Sequence, residues 1–400
     1  MADPQPTPDE AEPAATRART VPSLPAVVDA PTVGFLELFF DLVFVAATMV
    51  ISNAFSSGDL TWAWGLRCAT VFALLWVLWF HTTILMNVER VDDLGHRLLV
   101  LLEMFLIILT VLAFADKEAS PKDLVGLTYG GGLLVVAVMH HRAATSNPSI
   151  ARWARVRRNR LMVVAVLAVS TTWLPDRVDD PVYVVAILVL LIPTSLGRSR
   201  VALPHVDIHH LTERAALLTL IMCGEAFVKV ALVVSEGSID RSDVIAIGVE
   251  FVAVFALFFV YFDDIPKAGI RPGMAAAEAW ALAHLPLQIG IVTVAVGISK
   301  FLVIGDHGVH EEVVVILTTG FVLVYGGLAI VGLLGRRTPI GPLTVARLAM
   351  VAGAIVLGAL AWSLSWLTPA QLLLLLATLE IAHAGLAERL RRSTTVPALH

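Results

Sequence analysis

The sequence predicts an all-α integral membrane protein with about twelve transmembrane helices. Of its 400 residues, 58% are hydrophobic and only 15% are charged, whereas soluble domains carry about 25% charged residues. The apolar segments continue for about 20 residues, enough for a helix to cross a hydrocarbon core of about 30 Å. They do not alternate with polar residues as the strands of a transmembrane barrel do. The two cysteines, Cys68 and Cys223, lie in apolar runs and indicate neither a disulfide nor a metal site.

Twelve apolar segments are separated by turn-forming and charged stretches such as SSGD, PDRVDDP and DDIPKAGIRPG. Residues 1–30 are rich in Pro, Ala and acidic residues and lack the pattern of a secretory signal. We expect them to be a disordered cytoplasmic tail, and residues 391–400 to be a second cytoplasmic tail. The predicted spans are 33–53, 62–85, 98–115, 124–141, 160–175, 182–197, 214–235, 243–262, 276–297, 312–334, 345–363 and 369–387.

The distribution of basic residues predicts the orientation of these spans. Most of the 28 Lys and Arg residues fall in segments on one side if the N-terminus is cytoplasmic. The stretch RWARVRRNR, residues 152–160, would hold its loop on that side. Such a cluster is typical of membrane topology and does not indicate nucleic-acid binding. The sequence therefore predicts a plasma-membrane protein with both termini in the cytoplasm.

The two halves of the chain, residues 31–200 and 201–390, each contain six predicted spans. Aligning ELFFDLVFV with LIMCGEAFV places Asp41 on Glu225, and other matches have a similar separation of a little over 180 residues. The pattern fits two parallel six-helix repeats, and it equally fits chance similarity between apolar helices. In transporters built from repeats, the functional site lies near the midplane between them.

Charged residues inside the predicted spans are candidates for such a site, because each costs about 2.5–3.5 kcal/mol at the centre of a helix. Glu37 and Asp41 are four residues apart and share one helical face. Their repulsion would leave one protonated or bridged by a cation. Alternatively, Glu37 is solvated at the interface and Asp41 is hydrogen-bonded to a neighbouring helix.

Two further spans complete the predicted central polar site, which consists of Glu37, Asp41, Glu225 and His284. Glu225 lies four residues before Lys229, which predicts either an ion pair for helix packing or a pair that exchanges partners. His284 lies two residues before Pro286, which would kink the ninth span. Such a histidine lines a cavity or bonds to a neighbouring helix.

Other polar residues within or next to the spans are predicted to support this site. Surface ion pairing is an alternative for the residues around Arg214, and a solvated helix end is an alternative for Asp263. Glu380 and His383 have the spacing of one half of a carboxylate di-metal site, but a second such motif is missing, so no metal is predicted. The supporting residues are His210, Glu213, Arg214, Lys229, Asp263, Glu278, Glu380 and His383.

Several catalytic and nucleotide-binding motifs are absent. The sequence contains no GxxxxGK[ST], HExxH, GxSxG or CxxC. It therefore does not predict an ATP-driven pump of the usual kind, a cofactor or a catalytic residue.

Five motifs, in order, resemble the bacterial low temperature requirement A family: LELFFDLVFVAAT, NVERVDDLGHRLLVLLEM, HLTERAALLTLIMCGEAF, YFDD and HLPLQIGIV. The resemblance covers roughly residues 30–390. It implies a polytopic bacterial plasma-membrane protein and carries no settled activity. Ala226 and Lys229 depart from the family pattern. The matching positions are Glu37, Phe40, Asp41, His210, Glu213, Arg214, Gly224, Glu225, Asp263 and His284.

The first span is also similar to potassium channels of six-plus-six helices that carry a Phe-Ser-Asp motif in the first of six helices. FFDLVFVAAT has the shape of that motif, with Phe40 in place of the serine. The six-plus-six organisation matches as well.

Three functions fit these observations. The favoured one is a secondary transporter or a cation or proton pathway that uses the central carboxylates, with His284 as a partner that titrates near neutral pH. The second is a membrane-embedded enzyme acting on a lipophilic substrate, which requires an opening to the bilayer. The third is a non-catalytic stress-tolerance protein whose acids are paired internally. The expected partners are membrane lipids and a small cation, a proton or an organic solute.

Overall fold

The computed structural model describes residues 33–58, 61–116, 121–175, 178–194, 203–235, 241–304, 311–336, 341–363 and 367–395. The predicted tail over residues 1–30 lies outside these ranges. In the described residues the regular structure is helical, which confirms the predicted fold class. The helices are α1 Phe35–Ser57, α2 Trp62–Val88, α3 Leu94–Ala115, α4 Pro121–Ser146, α5 Ala151–Ser170, α6 Asp179–Leu191, α7 Ile208–Ser235, α8 Arg241–Ala268, α9 Met274–Leu282, α10 His284–Ile304, α11 Glu311–Leu334, α12 Pro342–Ser363 and α13 Pro369–Thr395.

Each of the twelve predicted spans corresponds to one helix, except that the ninth is divided into α9 and α10. With those two counted together, nine helices of the described part are long and apolar enough to cross a membrane. As described, α6 has 13 residues and reaches about 20 Å, which is less than a full span. Helix α13 continues to Thr395, so the predicted C-terminal tail begins as helix.

The division of the ninth span lies at Ala283, three residues before Pro286. Proline removes a backbone N–H and displaces the preceding carbonyls. The imidazole of His284 satisfies one of the carbonyls at this break, since its Nδ1 is 3.0 Å from the Trp280 carbonyl oxygen. The predicted interruption next to a buried histidine is therefore confirmed.

Helix α2 lies at the centre of the bundle and α12 at its periphery. In the most apolar window of α2, 94% of the residues are buried, against 33% in α12. Large apolar side chains such as Leu98, Leu102 and Phe105 on α3 are exposed. Exposed leucine and phenylalanine over the length of a helix are what a lipid-facing surface requires.

Helices α10 and α11 approach each other closely at glycines. A Cβ atom on Gly327 would lie 2.6 Å from the Leu287 nitrogen, and one on Gly290 would lie 2.6 Å from the Val324 nitrogen. Small residues allow such backbone approach between membrane helices, where van der Waals packing replaces the hydrophobic effect as the driving force.

We expect Gly327→Ala to destabilise the protein by about 1–3 kcal/mol, because the new methyl group would collide with backbone atoms of α10. The neighbouring Gly326 has no atom within 4 Å of an added Cβ, so Gly326→Ala is the matched control. Thermal unfolding of the two detergent-solubilised variants measures the difference. Equal melting temperatures would contradict the close packing of α10 and α11.

Candidate functional site

Helices α1 and α7 pack side by side in the same direction, and their interface carries most of the buried charge predicted for the site. In four contacts the two partners are separated by the same 173 residues, which requires parallel helices in a fixed register. The pairs are Glu37 with His210, Asp41 with Arg214, Ser52 with Glu225, and Ser56 with Lys229. On α1 these positions are four, eleven and four residues apart, a spacing that keeps them on one face.

The first two pairs form a cluster near the N-terminal ends of both helices, called here the N-terminal layer: Glu37, Asp41, His210 and Arg214. Arg214 is fully buried; its Nη2 donates to Asp41 Oδ1 at 2.7 Å, and its Nη1 lies 3.2 Å from Glu37 Oε1. His210 Nε2 lies 3.1 Å from Glu37 Oε2. The guanidinium therefore stands between the two carboxylates that sequence alone leaves repelling each other.

Helix α2 completes the N-terminal layer. Trp79 Nε1 donates to Asp41 Oδ1 at 2.7 Å, and Thr83 Oγ1 accepts from Arg214 at 3.3 Å. Asp41 Oδ2 is buried and has no hydrogen-bond partner in the described structure. One carboxylate oxygen of Asp41 is thus bonded to both the Arg214 guanidinium and the Trp79 indole. The other oxygen remains available for a further hydrogen bond.

The edge of this layer is built by residues that the sequence analysis did not identify. The Asp207 carboxylate accepts from the His210 N–H at 3.1 Å, which caps the start of α7, and Arg90 Nη2 lies 2.6 Å from its second oxygen. Asn87 Oδ1 accepts from the Asp207 N–H at 2.9 Å. Burial raises the pKa of Asp207, but the His210 N–H and the charge of Arg90 outweigh it and lower the pKa below its ordinary value. An aspartate just before an apolar helical run is the signal that could have indicated this cap.

The other two pairs form a second cluster, the C-terminal layer: Ser52, Asn53, Ser56, Glu225 and Lys229. Ser52 Oγ donates to Glu225 Oε1 at 3.1 Å. The Lys229 ammonium donates to Asn53 Oδ1 at 2.8 Å and to Ser56 Oγ at 3.0 Å. In the part of the chain that the structure describes, Glu225 and Lys229 form no ion pair within 4 Å, and Glu225 Oε2 has no hydrogen-bond partner.

The two layers are separate. Asp41 and Ser52 are eleven residues apart on α1, which corresponds to about 16 Å along the helix axis. Asp41 and Glu225, which the aligned halves would place at equivalent positions, therefore do not meet in one pocket. The register of 173 residues also differs from the separation of a little over 180 on which the proposed repeat rests. The six-plus-six repeat stays a prediction.

His284 is connected to α8 rather than to either layer. Its Nδ1 donates to the Trp280 carbonyl at 3.0 Å, and its Nε2 lies 3.0 Å from the Tyr261 hydroxyl. One turn later, Gln288 accepts from Trp76 Nε1 at 2.6 Å, and its Nε2 is 3.4 Å from the Thr219 hydroxyl. Polar groups thus occupy the level between the two layers.

A model of the family described as bacterial low temperature requirement A protein (LtrA) matches residues 32–382 of this chain. The chain belongs to this family. Both layers lie inside the matched region. Over 295 residues the chain is 27% identical to an uncharacterized protein of Rhizobium meliloti (strain 1021), with 67% of this chain and 69% of that protein covered. The predicted family and a multi-pass membrane protein are confirmed, and the likeness to potassium channels stays a prediction.

Of the supporting residues, Glu278 is part of a separate buried cluster in this LtrA chain. It forms an ion pair with Arg157, and both side chains are buried. Arg157 Nε also donates to Thr194 Oγ1 at 3.1 Å, and its Nη1 lies 3.2 Å from His81 Nδ1. Arg157 was predicted to lie in a basic loop. This prediction is wrong, because Arg157 lies within α5. Its position four residues after Trp153 and four before Leu161, both buried, could have revealed it.

The remaining supporting residues lie in the second half of the LtrA chain. Asp263 pairs with Lys267 at 2.9 Å near the surface, whereas its neighbour Asp264 is buried and pairs with Arg347 at 2.6 Å. Glu213 is partly buried on α7, and its role stays a prediction.

Glu380 and His383 both lie close to Tyr325. The Tyr325 hydroxyl donates to Glu380 Oε1 at 3.2 Å, and its ring meets that of His383 edge-on. Among the described residues, no three His, Cys, Asp or Glu side chains come together as metal ligands. Glu380 and His383 thus both contact Tyr325.

A groove of about 540 Å³ lies between the first and second halves of the described chain, lined by Trp62, Leu66 and Trp362. Glu311 and Glu312 are its acidic residues among the described lining. The predicted central carboxylates and His284 do not line it. The enzyme hypothesis stays a prediction.

Proposed function

We propose that this LtrA protein is a secondary transporter or a cation or proton pathway, in which Glu225 takes up the transported or coupling cation. The observation that carries the proposal is the state of the Glu225 carboxylate. It is buried, it accepts from the neutral Ser52 hydroxyl, and its second oxygen is without a partner in the described structure. A buried carboxylate without a counter-ion costs several kcal/mol unless it binds a proton or a cation.

The contrast with three other buried acids supports this assignment. Asp41, Glu278 and Asp264 each pair with a buried arginine. An arginine remains charged at every accessible pH, so those carboxylates are compensated permanently. Glu225 has a serine in that place and a lysine one turn away that is bonded elsewhere.

The length of the polar interface fits a path across the bilayer. His210 and Lys229 are nineteen residues apart on α7, which corresponds to about 28 Å. The hydrocarbon core is about 30 Å thick. Polar side chains on one face of α1 and α7, with Thr219 and Gln288 between the layers, therefore reach from one side of the core to the other.

In this proposal the N-terminal layer is a closed gate. The Arg214 guanidinium places a positive charge in the path of a cation. The Asp41 carboxylate, which also accepts from Trp79, holds the guanidinium in this position. Transport would require α1 and α7 to move relative to each other so that the pair separates. A membrane potential would assist by about 2.3 kcal/mol per charge per 100 mV. The Lys and Arg distribution supports a cytoplasmic position for this layer, in the plasma membrane of a bacterium.

A flux measurement in proteoliposomes tests the proposal. Purified protein would be reconstituted, and proton, sodium and potassium gradients would be imposed with and without organic anions. We expect Glu225→Gln to reduce the flux at least tenfold, and Asp41→Asn to alter it by freeing Arg214. The matched control is Glu388→Gln, which changes an exposed glutamate of α13 that pairs with Arg392.

A non-catalytic membrane protein is the second candidate, and the three buried arginine–carboxylate pairs favour it. Such pairs fix helix packing without any turnover. If correctly folded Glu225→Gln carries the same flux as the parent protein, Glu225 does not take up the cation. If the parent protein carries no more flux than protein-free vesicles under every gradient, the transport proposal is wrong and this second candidate takes its place.

A further inference from the structure

We propose that Glu250 and Glu380 form a proton-binding site in which each buried carboxyl group holds a proton and is bonded to water in the cavity that both line. Glu250 lies on α8 and Glu380 on α13, and both line a cavity between these helices, α10 and α11. The site itself does not depend on transport; its use as a station for the coupling proton rests on the proposed function above.

The cavity has room for water. About 30 Å³ is open to water-sized molecules, and a single water needs about 10–15 Å³ together with two or more polar partners. Apart from the two glutamates, its lining is apolar and includes Leu257, Ile291 and Phe321. Water held there would therefore be bound at the carboxyl groups.

Both carboxyl groups are buried and lack partners within the described structure. Glu250 is 1% exposed, and neither of its oxygens has a hydrogen-bond partner. Glu380 is 3% exposed; its Oε1 accepts from the Tyr325 hydroxyl, and its Oε2 is without a partner. Buried polar atoms are nearly always hydrogen-bonded in native proteins, so three such oxygens around one cavity indicate a missing partner.

The charged groups around the cavity leave the two carboxyl groups without a counter-ion at contact distance. From α7, Glu225 acts on Glu250 with the same sign of charge. From α13 and α12, His383 and Arg347 lie on the Glu380 side, where the Arg347 guanidinium is bonded to Asp264. The residues lining from α10 are apolar. An ionised carboxylate that faces an apolar cavity without a counter-ion is unfavourable, and a bound proton removes its charge.

The donor set fits a proton better than a metal cation. Glu250 offers two oxygens and Glu380 offers one, and the other lining side chains have none. Hard metal cations such as Ca²⁺ and Mg²⁺ take six or more oxygen ligands. A protonated carboxyl group needs one acceptor, which a water in the cavity supplies.

Infrared difference spectroscopy of the reconstituted protein between acidic and alkaline buffer tests the site directly. We expect a carbonyl band of buried protonated carboxyl groups that shifts in D₂O, is reduced in both Glu250→Gln and Glu380→Gln, and is lost in the double variant. Glu388→Gln, which changes an exposed glutamate, should leave the band intact.

Circular dichroism would establish that the variants are folded. If one is not, Tyr325→Phe provides a second test, because losing the hydroxyl bond to Glu380 should shift the band without removing it. A band unchanged in all three variants, or one removed by sodium at constant pH, would overturn the proposal. If the variants lose the band but the parent protein carries no flux, only the transport proposal is contradicted.

Discussion

Replacing Arg214 with methionine should destabilise the folded protein by about 3–5 kcal/mol. The change leaves Asp41 buried with Trp79 as its remaining donor, and it leaves Glu37 with His210 and the Gly34 N–H. Breaking a buried ion pair by removing one partner costs this much because the remaining charge is left uncompensated in a low-dielectric interior.

Thermal unfolding in detergent measures this effect. Arg97→Met is the matched control, since Arg97 pairs with Asp92 at the surface, where both side chains are exposed, and it should melt close to the parent protein. The double variant Arg214→Met/Asp41→Leu should recover part of the loss, because removing both charges leaves no orphan between them. A single variant as stable as the parent protein would show that Arg214 does not hold the N-terminal layer.

The second large effect is expected at the ion pair between α5 and α9. Glu278→Ala should cost about 3–5 kcal/mol, because it leaves the Arg157 guanidinium buried beside His81 and Thr194 without an acid. Arg157 also lies over the Trp153 ring, 4.9 Å from its centroid, and this cation–π contact offsets only a small part of the loss.

Asp263→Ala is the control for this pair. Asp263 is one of the acids predicted for the site, but it pairs with Lys267 four residues later near the surface, and such pairs contribute about 0.3–0.5 kcal/mol. Both variants can be compared by the temperature at which half of the protein remains in solution. Similar losses for Glu278→Ala and Asp263→Ala would contradict the assignment of Glu278 to the core.

The membrane-spanning helices could be predicted from the sequence because the bilayer imposes a length and a polarity on each of them. The break before Pro286 was equally local: it follows from the missing N–H of proline. The predicted sixth span ran past Pro193 to residue 197, whereas α6 ends at Leu191, before the residue that precedes this proline.

The partners of the buried charges could not be predicted, because an apolar helix face packs against lipid as readily as against another helix. Glu37, Asp41 and Arg214 were identified, but the position of Arg214 between the two carboxylates was not predicted. The 173-residue register that brings Arg214 to Asp41 depends on the packing of α1 against α7. Glu250 was missed because a single glutamate in a long apolar run gives no spacing to compare.

Cross-linking of paired cysteines tests the central claim, the parallel register of α1 and α7 with two separate layers. In a background with Cys68→Ala and Cys223→Ala, we expect Ser52→Cys/Glu225→Cys to be joined in membranes by a short bifunctional thiol reagent. Asp41→Cys/Glu225→Cys should remain unlinked, because these positions are about 16 Å apart along the helices. Efficient linking of the second pair and none of the first would contradict the register and both layers built on it.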